Sequence, residues 1–357
     1  MKNKIYFTPG PSQLYFTVEE HIKEALKKNI LSISHRSNMF KSLHKECIEN
    51  IKTLLELNED YYIAFTSSAN EVWERIIQNL ISKSSIHFVN GSFSKKFFDF
   101  TKNYNLNSRL IESFNKPYDF NIKYNNEDLI ALTLNETSTG ISSTDEKISE
   151  ARKKFNKSLI ALDCVSGSPV IPFNVNDVDT FYFSVQKCFG LPSGLGVWIY
   201  NKKCLDSCYK KINKGEIVGS YHSLIKLHEM NQKNQTPETP NILAIFLLSN
   251  VINDMNNKGL NKIINEIEYK SKIINLTIEN HPKIYHSINN EEIRSKTVIV
   301  GETVNNSELL IKELKKNNLI IGKGYGNNVN QIRIANFPTH SKESIEMLCD
   351  YISKIDF

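Results

Sequence analysis

The segment FYFSVQKCFG, residues 181–190, runs an apolar strand directly into a lysine, Lys187. The next stretch, LPSGLG at residues 191–196, is broken by glycine and proline, which is typical of a loop. A lysine placed here is carried into the interior, where loss of hydration disfavours the charged amine and lowers its pKa. A neutral buried amine can form a Schiff base with an aldehyde, such as that of pyridoxal phosphate. The alternative is that Lys187 ends the strand and extends its ammonium group to solvent.

Short apolar strands alternate with helical patterns on the N-terminal side of this segment. The alternation is typical of a mostly parallel sheet that is covered by helices on both faces, so we predict an α/β fold. The strands are predicted at residues 62–65, 85–89, 129–133 and 159–162, and the helices between them at residues 69–81 and 95–104.

The pattern changes after residue 200. A polar region leads to TPETP at residues 236–240, and two helices are predicted at 242–255 and 260–279. The alternation that follows (strand 296–300, helix 307–316, strand 331–335 and helix 342–355) indicates a compact α+β domain. We therefore predict three parts: an N-terminal segment near the active site at residues 1–15, a large domain at 16–256 and a small domain at 257–357.

Composition excludes several classes of function. The 357 residues carry a net charge of +5 and are 40% hydrophobic, which is ordinary for a soluble globular protein. The longest apolar stretch, residues 242–248, is too short to span a bilayer, and the N-terminus shows no secretory pattern, so we expect a cytoplasmic protein with no membrane partner. The six cysteines form no CxxC pair, and we expect neither a disulfide framework nor a metal site. Lysines are mixed with acids, so no nucleic-acid partner is expected.

Arginine is rare in this chain. Because the guanidinium fork grips carboxylates and phosphates in a way that lysine cannot, each arginine is a candidate for anion binding. Of the 44 basic residues only six are arginine: Arg36, Arg75, Arg109, Arg152, Arg294 and Arg333.

Polar residues follow two of the predicted strands. The sequence TSSAN at residues 66–70 lies between a strand and a helix, where backbone N–H groups and the helix dipole can bind an anion. Helix capping alone would explain its serines equally well. Asp163 follows the strand at residues 159–162 and is either a site residue or a capping carboxylate. Ligands of open α/β sheets bind at the carboxyl ends of the strands, so both positions suit a binding site.

Six ordered blocks spread over almost the whole chain: FTPGP at 7–11, SISHRS at 32–37, NET at 135–137, ALD at 161–163, QK at 186–187 and IRIA at 332–335. With these blocks the chain resembles the class V (fold type I) pyridoxal phosphate-dependent aminotransferases, and among them most closely the phosphoserine aminotransferases. The resemblance implies a large, mostly parallel sheet of the seven-stranded type between helices, followed by a small C-terminal α+β domain.

The resemblance assigns roles around the cofactor. Lys187 matches the Schiff-base lysine, and Asp163 matches the carboxylate that keeps the pyridine ring protonated as an electron sink. Phe93 matches a tryptophan that stacks on the ring, although by itself it would be interpreted as a core aromatic. Thr137 matches a threonine near the phenolic oxygen, although by itself it would be interpreted as a turn residue. Further cofactor contacts are implied at Ala69, Asn70, Gln186 and, from a partner subunit, Thr239.

The phosphate-binding part departs from the family pattern. Ser67-Ser68-Ala69 replaces a glycine triplet, and Asn70 stands where some relatives have arginine. Glu238 precedes Thr239, whereas the family often has asparagine there. A carboxylate beside a phosphate is repulsive unless it turns away, so Thr236 is kept as an alternative donor.

The resemblance also implies the substrates. Arg333 matches the residue that binds the substrate α-carboxylate, and His35 and Arg36 match a pair that binds the distal anion. The implied reaction converts 3-phosphohydroxypyruvate and glutamate to phosphoserine and 2-oxoglutarate. A further His-Arg pair of the family is replaced by the neutral Gly326-Asn327. We expect a homodimer with shared active sites, because Thr239 and the His35-Arg36 pair have to reach the neighbouring site.

Three alternatives stay open. The missing His-Arg pair favours a class V activity on another small or acidic amino acid, such as alanine–glyoxylate exchange. Cysteine desulfuration needs a cysteine on a mobile loop, whereas Cys188 is expected to pack under the site. A non-catalytic protein on this fold should have lost its cofactor residues, whereas Lys187, Asp163, Thr137 and Arg333 all remain chemically competent.

Overall fold

The computed structural model describes residues 4–355. Its strands are β1 (Ile5–Phe7), β2 (Tyr61–Thr66), β3 (Ser84–Val89), β4 (Asn107–Glu112), β5 (Leu129–Thr133), β6 (Asn135–Glu136), β7 (Ile141–Ser142), β8 (Leu159–Asp163), β9 (Thr180–Ser184), β10 (Gly196–Asn201), β11 (Ile284–His286), β12 (Val298–Thr303), β13 (Leu319–Lys323) and β14 (Gln331–Ala335). Its α-helices are α1 (Val18–Lys27), α2 (Asn38–Leu54), α3 (Ala69–Leu80), α4 (Ser92–Lys102), α5 (Asp145–Lys154), α6 (Lys202–Asn213), α7 (Leu224–Asn231), α8 (Ile242–Lys258), α9 (Leu260–Glu279), α10 (Glu308–Lys316) and α11 (Lys342–Lys354).

A seven-stranded sheet forms the centre of the large domain. Its strand order is β2-β10-β9-β8-β5-β3-β4, and every neighbouring pair is parallel except the two pairs that include β10. Every residue of β5 and β9 is buried, as a strand requires when helices cover both faces of the sheet. The prediction of an α/β fold with a mostly parallel, seven-stranded sheet is confirmed.

The connection between β9 and β10 carries Lys187. The two strands pair side by side, so the chain leaves β9 at its carboxyl end and returns through residues 185–195. The N–H of Gly190 donates to the carbonyl of Lys187 at 2.9 Å. Gly190 has φ +59°, and a β-carbon there would lie 2.7 Å from the backbone nitrogen of Tyr15. Glycine therefore lets this loop turn tightly against the N-terminal segment.

A second sheet has the order β1-β13-β14-β12-β11 and belongs to the C-terminal part of the chain. Strand β1 pairs in parallel with β13, so the N-terminal segment joins this small sheet before the chain enters the large domain. Helix α9 contributes Ile263 and Ile267 to the large core, and Ile274 and Ile278 to the small one. A domain boundary near residue 256 stays a prediction, since α8 continues to Lys258 and α9 packs in both cores.

The sequence missed several elements. The polar region after residue 201 contains α6 and α7, and the strands β4 and β13 were not predicted. Helix α6 buries Cys204, Leu205 and Cys208 among many lysines, which leaves only a weak apolar pattern. Helix α4 begins at Ser92, three residues before its predicted start. Within residues 4–355, the helices are too short or too polar to span a bilayer.

Candidate active site

A cavity of about 210 Å³ lies at the carboxyl ends of the strands in the large sheet. Thr133, Asp163 and Ser184 end the neighbouring strands β5, β8 and β9, and all three line it. The other predicted cofactor residues that line this cavity are Ala69, Asn70, Phe93, Thr137, Gln186 and Lys187. Four further lining residues had no individual role in the sequence analysis: Gly10 and Asn135, which lie in the FTPGP and NET blocks, and Trp73 and Val165.

Lys187 is buried against the N-terminal segment. Its side chain is 8% exposed, and Nζ donates a hydrogen bond to the carbonyl of Pro9. Burial, and secondly the charge of Arg333, lower the pKa of Lys187 to about 8. Gly10 has φ +137°, and a β-carbon there would lie 2.3 Å from Nζ. The close approach of this glycine allows the N-terminal segment to close one side of the cavity.

Asp163 presents a buried carboxyl group that has no cationic partner within residues 4–355. Its Oδ1 accepts a hydrogen bond from the N–H of Val165 at 3.0 Å. Burial raises the pKa of Asp163 to about 7, although the Val165 amide and the nearby Trp73 and Tyr182 side chains oppose the shift. The Trp73 Nε1 and the Tyr182 hydroxyl are buried nearby, and neither has another hydrogen-bond partner within residues 4–355. A protonated ring nitrogen in the cavity would therefore supply the counter-charge that this carboxyl group lacks.

The N-terminus of α3 forms another wall. The N–H of Ala69 donates to Ser184 Oγ at 2.9 Å, which ties the helix to the end of β9. Ser68 caps the helix by accepting a hydrogen bond from the N–H of Glu71 at 3.3 Å. Backbone N–H groups and the helix dipole favour an anion at this wall. Capping and anion binding, the two interpretations of the TSSAN sequence, are therefore compatible.

Phe93 and Thr137 line other parts of the cavity. The Phe93 ring centroid lies 5.9 Å from Lys187 Nζ. The backbone N–H of Phe93 donates to the buried Glu136 Oε1 at 3.3 Å. Thr137 Oγ1 donates to Ser166 Oγ at 2.9 Å. Ser166, which was not predicted, also accepts a hydrogen bond from Asn135 Nδ2 at 2.7 Å. Thr137 thus lies in the turn between β6 and β7, as its sequence context alone would suggest, and a buried hydroxyl group also holds its side chain.

Arg333 reaches the same region from the small sheet. Its Nε donates to the carbonyl of Lys323 at 2.8 Å, and Nη1 donates to the carbonyl of Thr137 at 3.3 Å. Its Cζ lies 5.4 Å from the centroid of Tyr325, and the Tyr325 ring lies 5.2 Å from that of Phe93. Lys96 Nζ donates to the Tyr325 hydroxyl at 2.6 Å. Neither Tyr325 nor Lys96 was predicted, because no local pattern connects them with Arg333.

The residues predicted to bind the distal anion lie elsewhere. Arg36 Nη1 donates to Gln235 Oε1 at 2.9 Å and to the carbonyl of Thr236 at 3.0 Å. His35 Nδ1 lies 3.5 Å from the Thr239 hydroxyl. None of these side chains lines the cavity around Lys187. Within this chain they form a separate group, which we call the 35/239 surface: His35, Arg36, Gln235, Thr236 and Thr239.

The family model for class-V aminotransferases matches residues 115–344, well over half of the chain. The chain belongs to the class-V aminotransferase family. The family predicted from the sequence is therefore confirmed.

The similar proteins include several phosphoserine aminotransferases. One from Rhodococcus opacus is 30% identical over 253 residues, which cover 70% of this chain and 65% of that protein. One from a Nocardioides species is 24% identical over 349 residues, which cover 96% of this chain and 92% of that protein. The crystal structure of one from Cytophaga hutchinsonii is 42% identical, covers 100% of both chains and has a TM-score of 0.97.

The cavity fits pyridoxal phosphate, the cofactor expected for the family. The cofactor carries an aldehyde, a ring nitrogen and a phosphate. The cavity holds a buried amine at Lys187, a buried carboxyl group at Asp163 and the N-terminus of α3, with Phe93 beside them. Each group of the cofactor thus has a chemically suitable partner.

Proposed function

We propose that this protein catalyses pyridoxal phosphate-dependent transamination between glutamate and 3-phosphohydroxypyruvate, giving 2-oxoglutarate and phosphoserine. The observation that carries the proposal is the cavity at the strand ends, which Lys187 and the buried Asp163 both line. The similarity to the Cytophaga hutchinsonii phosphoserine aminotransferase, at 42% identity over the full chain, supports this choice of substrates.

Asp163 and Lys187 have complementary tasks in this proposal. The cofactor, when bound, supplies an electron sink for the bonds at the substrate Cα. Asp163 would hold the proton on the ring nitrogen of the cofactor, and this pairing would oppose the increase in the pKa of Asp163 that burial causes. Lys187 Nζ would take the proton from the substrate Cα as a base and then deliver it, as an acid, to the aldehyde carbon of the cofactor, so that the proton moves from one carbon to the other. An amine with a pKa of about 8 can do both near neutral pH.

Arg333 is proposed to bind the α-carboxylate of the substrate. The carbonyls of Lys323 and Thr137 hold two of its nitrogens, so its guanidinium plane is fixed before substrate arrives. Its Nη2 makes no hydrogen bond within residues 4–355, and it is therefore available to a carboxylate. Orientation by two carbonyls lowers the entropy lost when the substrate binds.

Lys96 is proposed to replace the missing His-Arg pair at the mouth of the site. Its Nζ is held by the Tyr325 hydroxyl, directly before Gly326-Asn327, and lies 5.4 Å from the Phe93 ring centroid. Lys96 has no ion-pair partner among the described residues, so its charge is available to a substrate phosphate. The Lys96 ammonium group therefore lies close to Gly326-Asn327, where the family has its His-Arg pair.

The 35/239 surface is proposed to complete the site of a second subunit in a homodimer. Its residues do not reach the cavity of their own chain, yet they carry the cation and hydroxyl that an anionic substrate and the cofactor phosphate require. Thr239 is exposed, whereas Thr236 is buried and donates to the carbonyl of Glu238 at 2.8 Å. Thr239 is thus a better candidate than Thr236 for the hydroxyl group that donates a hydrogen bond to the cofactor phosphate of the second subunit.

Half-reactions test the choice of substrate. The loaded enzyme is mixed separately with phosphoserine, glutamate, alanine and aspartate, and the absorption of the cofactor is followed over time. We expect phosphoserine and glutamate to convert the cofactor to its amine form, and alanine to react far more slowly. Rapid conversion by alanine with none by phosphoserine would instead support the alanine–glyoxylate type of activity.

A further inference from the structure

A buried histidine joins two carboxylates near the proposed phosphate-binding elements. His222 is 3% exposed. Its Nδ1 pairs with Glu71 Oε1, and its Nε2 lies 2.8 Å from Glu238 Oε2. The Tyr221 ring stacks on the imidazole at a centroid distance of 4.0 Å. Three separate segments of the chain therefore meet at one side chain.

Charge accounts for the strength of this bridge. Burial favours neutral His222, but its hydrogen bonds with Glu238 and Glu71 outweigh burial and raise its pKa to about 9. Burial also opposes ionisation of Glu71, but His222 and Ser67 lower the Glu71 pKa to about 2. An imidazolium between two carboxylates is therefore the stable state near neutral pH. The positive charge of His222 thus compensates one of the two negative charges of Glu71 and Glu238.

Each carboxylate belongs to an element that is proposed to bind the cofactor phosphate. Glu71 lies in the first turn of α3, and its second oxygen, Oε2, accepts hydrogen bonds of 2.8 Å from both the N–H and the hydroxyl of Ser67. Glu238 directly precedes Thr239 in the 35/239 surface. The bridge thus connects the anion-binding wall of one subunit to the segment that the proposed dimer lends to the other.

We propose that His222 is a positioning residue that turns the Glu238 carboxylate away from the cofactor phosphate and fixes Thr239 relative to α3. The proposal rests on the proposed function, since it needs Thr239 to reach a cofactor in the partner subunit. This role of His222 explains how the chain can have Glu238 at a position where the family often has asparagine. Without the imidazolium, Glu238 would be an uncompensated negative charge beside a phosphate.

A double-mutant cycle on cofactor affinity tests this role. Apoenzyme of the wild type, His222→Ala, Glu238→Asn and the double variant is titrated with pyridoxal phosphate, and binding is followed by absorption and by quenching of protein fluorescence. We expect His222→Ala to weaken binding about tenfold or more, on the scale of one lost charged hydrogen bond. Glu238→Asn in the His222→Ala background should restore affinity to within about threefold of the wild type.

The controls separate positioning from folding. His222→Gln keeps hydrogen-bonding groups without the charge, and it should weaken cofactor binding in the same direction. His228→Ala removes a half-buried histidine of α7 and should leave the affinity unchanged. Melting temperatures identify any variant that fails to fold, in which case His222→Gln takes the place of His222→Ala in the cycle.

Two results would have different meanings. If the double variant binds the cofactor as weakly as His222→Ala, or more weakly, the proposed role of His222 is wrong. If the wild type binds no pyridoxal phosphate at all, the proposed function is wrong instead.

Discussion

The cavity around Lys187 and the 35/239 surface carry different parts of the same proposed chemistry in different structural settings. The cavity is built from the ends of buried strands, and its ionisable groups have strongly shifted pKa values. The 35/239 surface is built from loops, and Arg36 and Thr239 are exposed. In the proposed function, bond-breaking chemistry uses groups desolvated within one chain, whereas recognition of the distal anion by Arg36 would use solvated groups of a second chain.

Replacing Lys187 should have the largest effect. Lys187→Ala removes the buried amine, so we expect turnover to fall by about 10²–10⁴-fold, the usual contribution of a positioned proton-transfer group. Steady-state transamination assays, with the visible spectrum of the purified protein, measure the loss. Lys187→Arg keeps a positive charge and should be equally inactive. Near-normal turnover in either variant would show that Lys187 is not needed for the reaction, and the cavity would then not be the active site.

Mixing two impaired variants tests whether the 35/239 surface acts across subunits. Arg36→Ala should lower kcat/KM for the phosphorylated substrate roughly 30-fold, as about 2 kcal/mol of charge-assisted hydrogen bonding is lost. Random mixing with Lys187→Ala, after subunit exchange, should restore about a quarter of the wild-type activity. Half of the dimers are then mixed, and each mixed dimer has one complete site of its two.

The same mixture gives the opposite result if Arg36 serves its own subunit. No mixed dimer would then contain a complete site, and activity would stay at the level of the separate variants. Exchange of subunits is checked by native mass spectrometry with one variant isotopically labelled.

The pH dependence of cofactor loading reports on the buried amine. Burial lowers the pKa of Lys187 to about 8, and the neutral amine is the reactive form. Between pH 8 and pH 7 its population falls about fivefold, so the loading rate of the apoenzyme should fall by that factor and level off above roughly pH 9. Stopped-flow absorption measures the rate. If the midpoint of the rate–pH curve instead lies near the ordinary lysine pKa, Lys187 is hydrated and the expected effect of burial is wrong.

Lys96 should give the smallest effect because its side chain is exposed. Lys96→Gln is expected to raise KM for the phosphorylated substrate about three- to tenfold, as solvent screens its charge, and to leave KM for glutamate almost unchanged. Lys102→Gln is the matched control, since Lys102 lies on the same helix and is paired with Asp99 at 2.9 Å. Equal effects of the two variants would assign the change to net charge.

Much of the cavity could be predicted because its residues follow strands. Apolar runs identify β5, β8 and β9, and parallel strands bring their carboxyl ends to one edge, so Asp163 and Lys187 were expected together. Ser184 ends β9 and follows the same rule, whereas Ser166 and Tyr325 could not be predicted in this way. They act through hydrogen bonds and ring contacts to residues distant in sequence, which leave no periodic pattern along the chain.

The sequence by itself determined the alternation of strands and helices, the family and the chemical identity of the groups at the strand ends. Tertiary structure decided how those groups behave. Asp163 and Lys187 have shifted pKa values because packing removes water from them, and His222 is charged because folding brings Glu71 and Glu238 to opposite sides of one ring. The physical reason is that hydration and the distances between charges depend on the whole fold, whereas apolar periodicity is a local property of the chain.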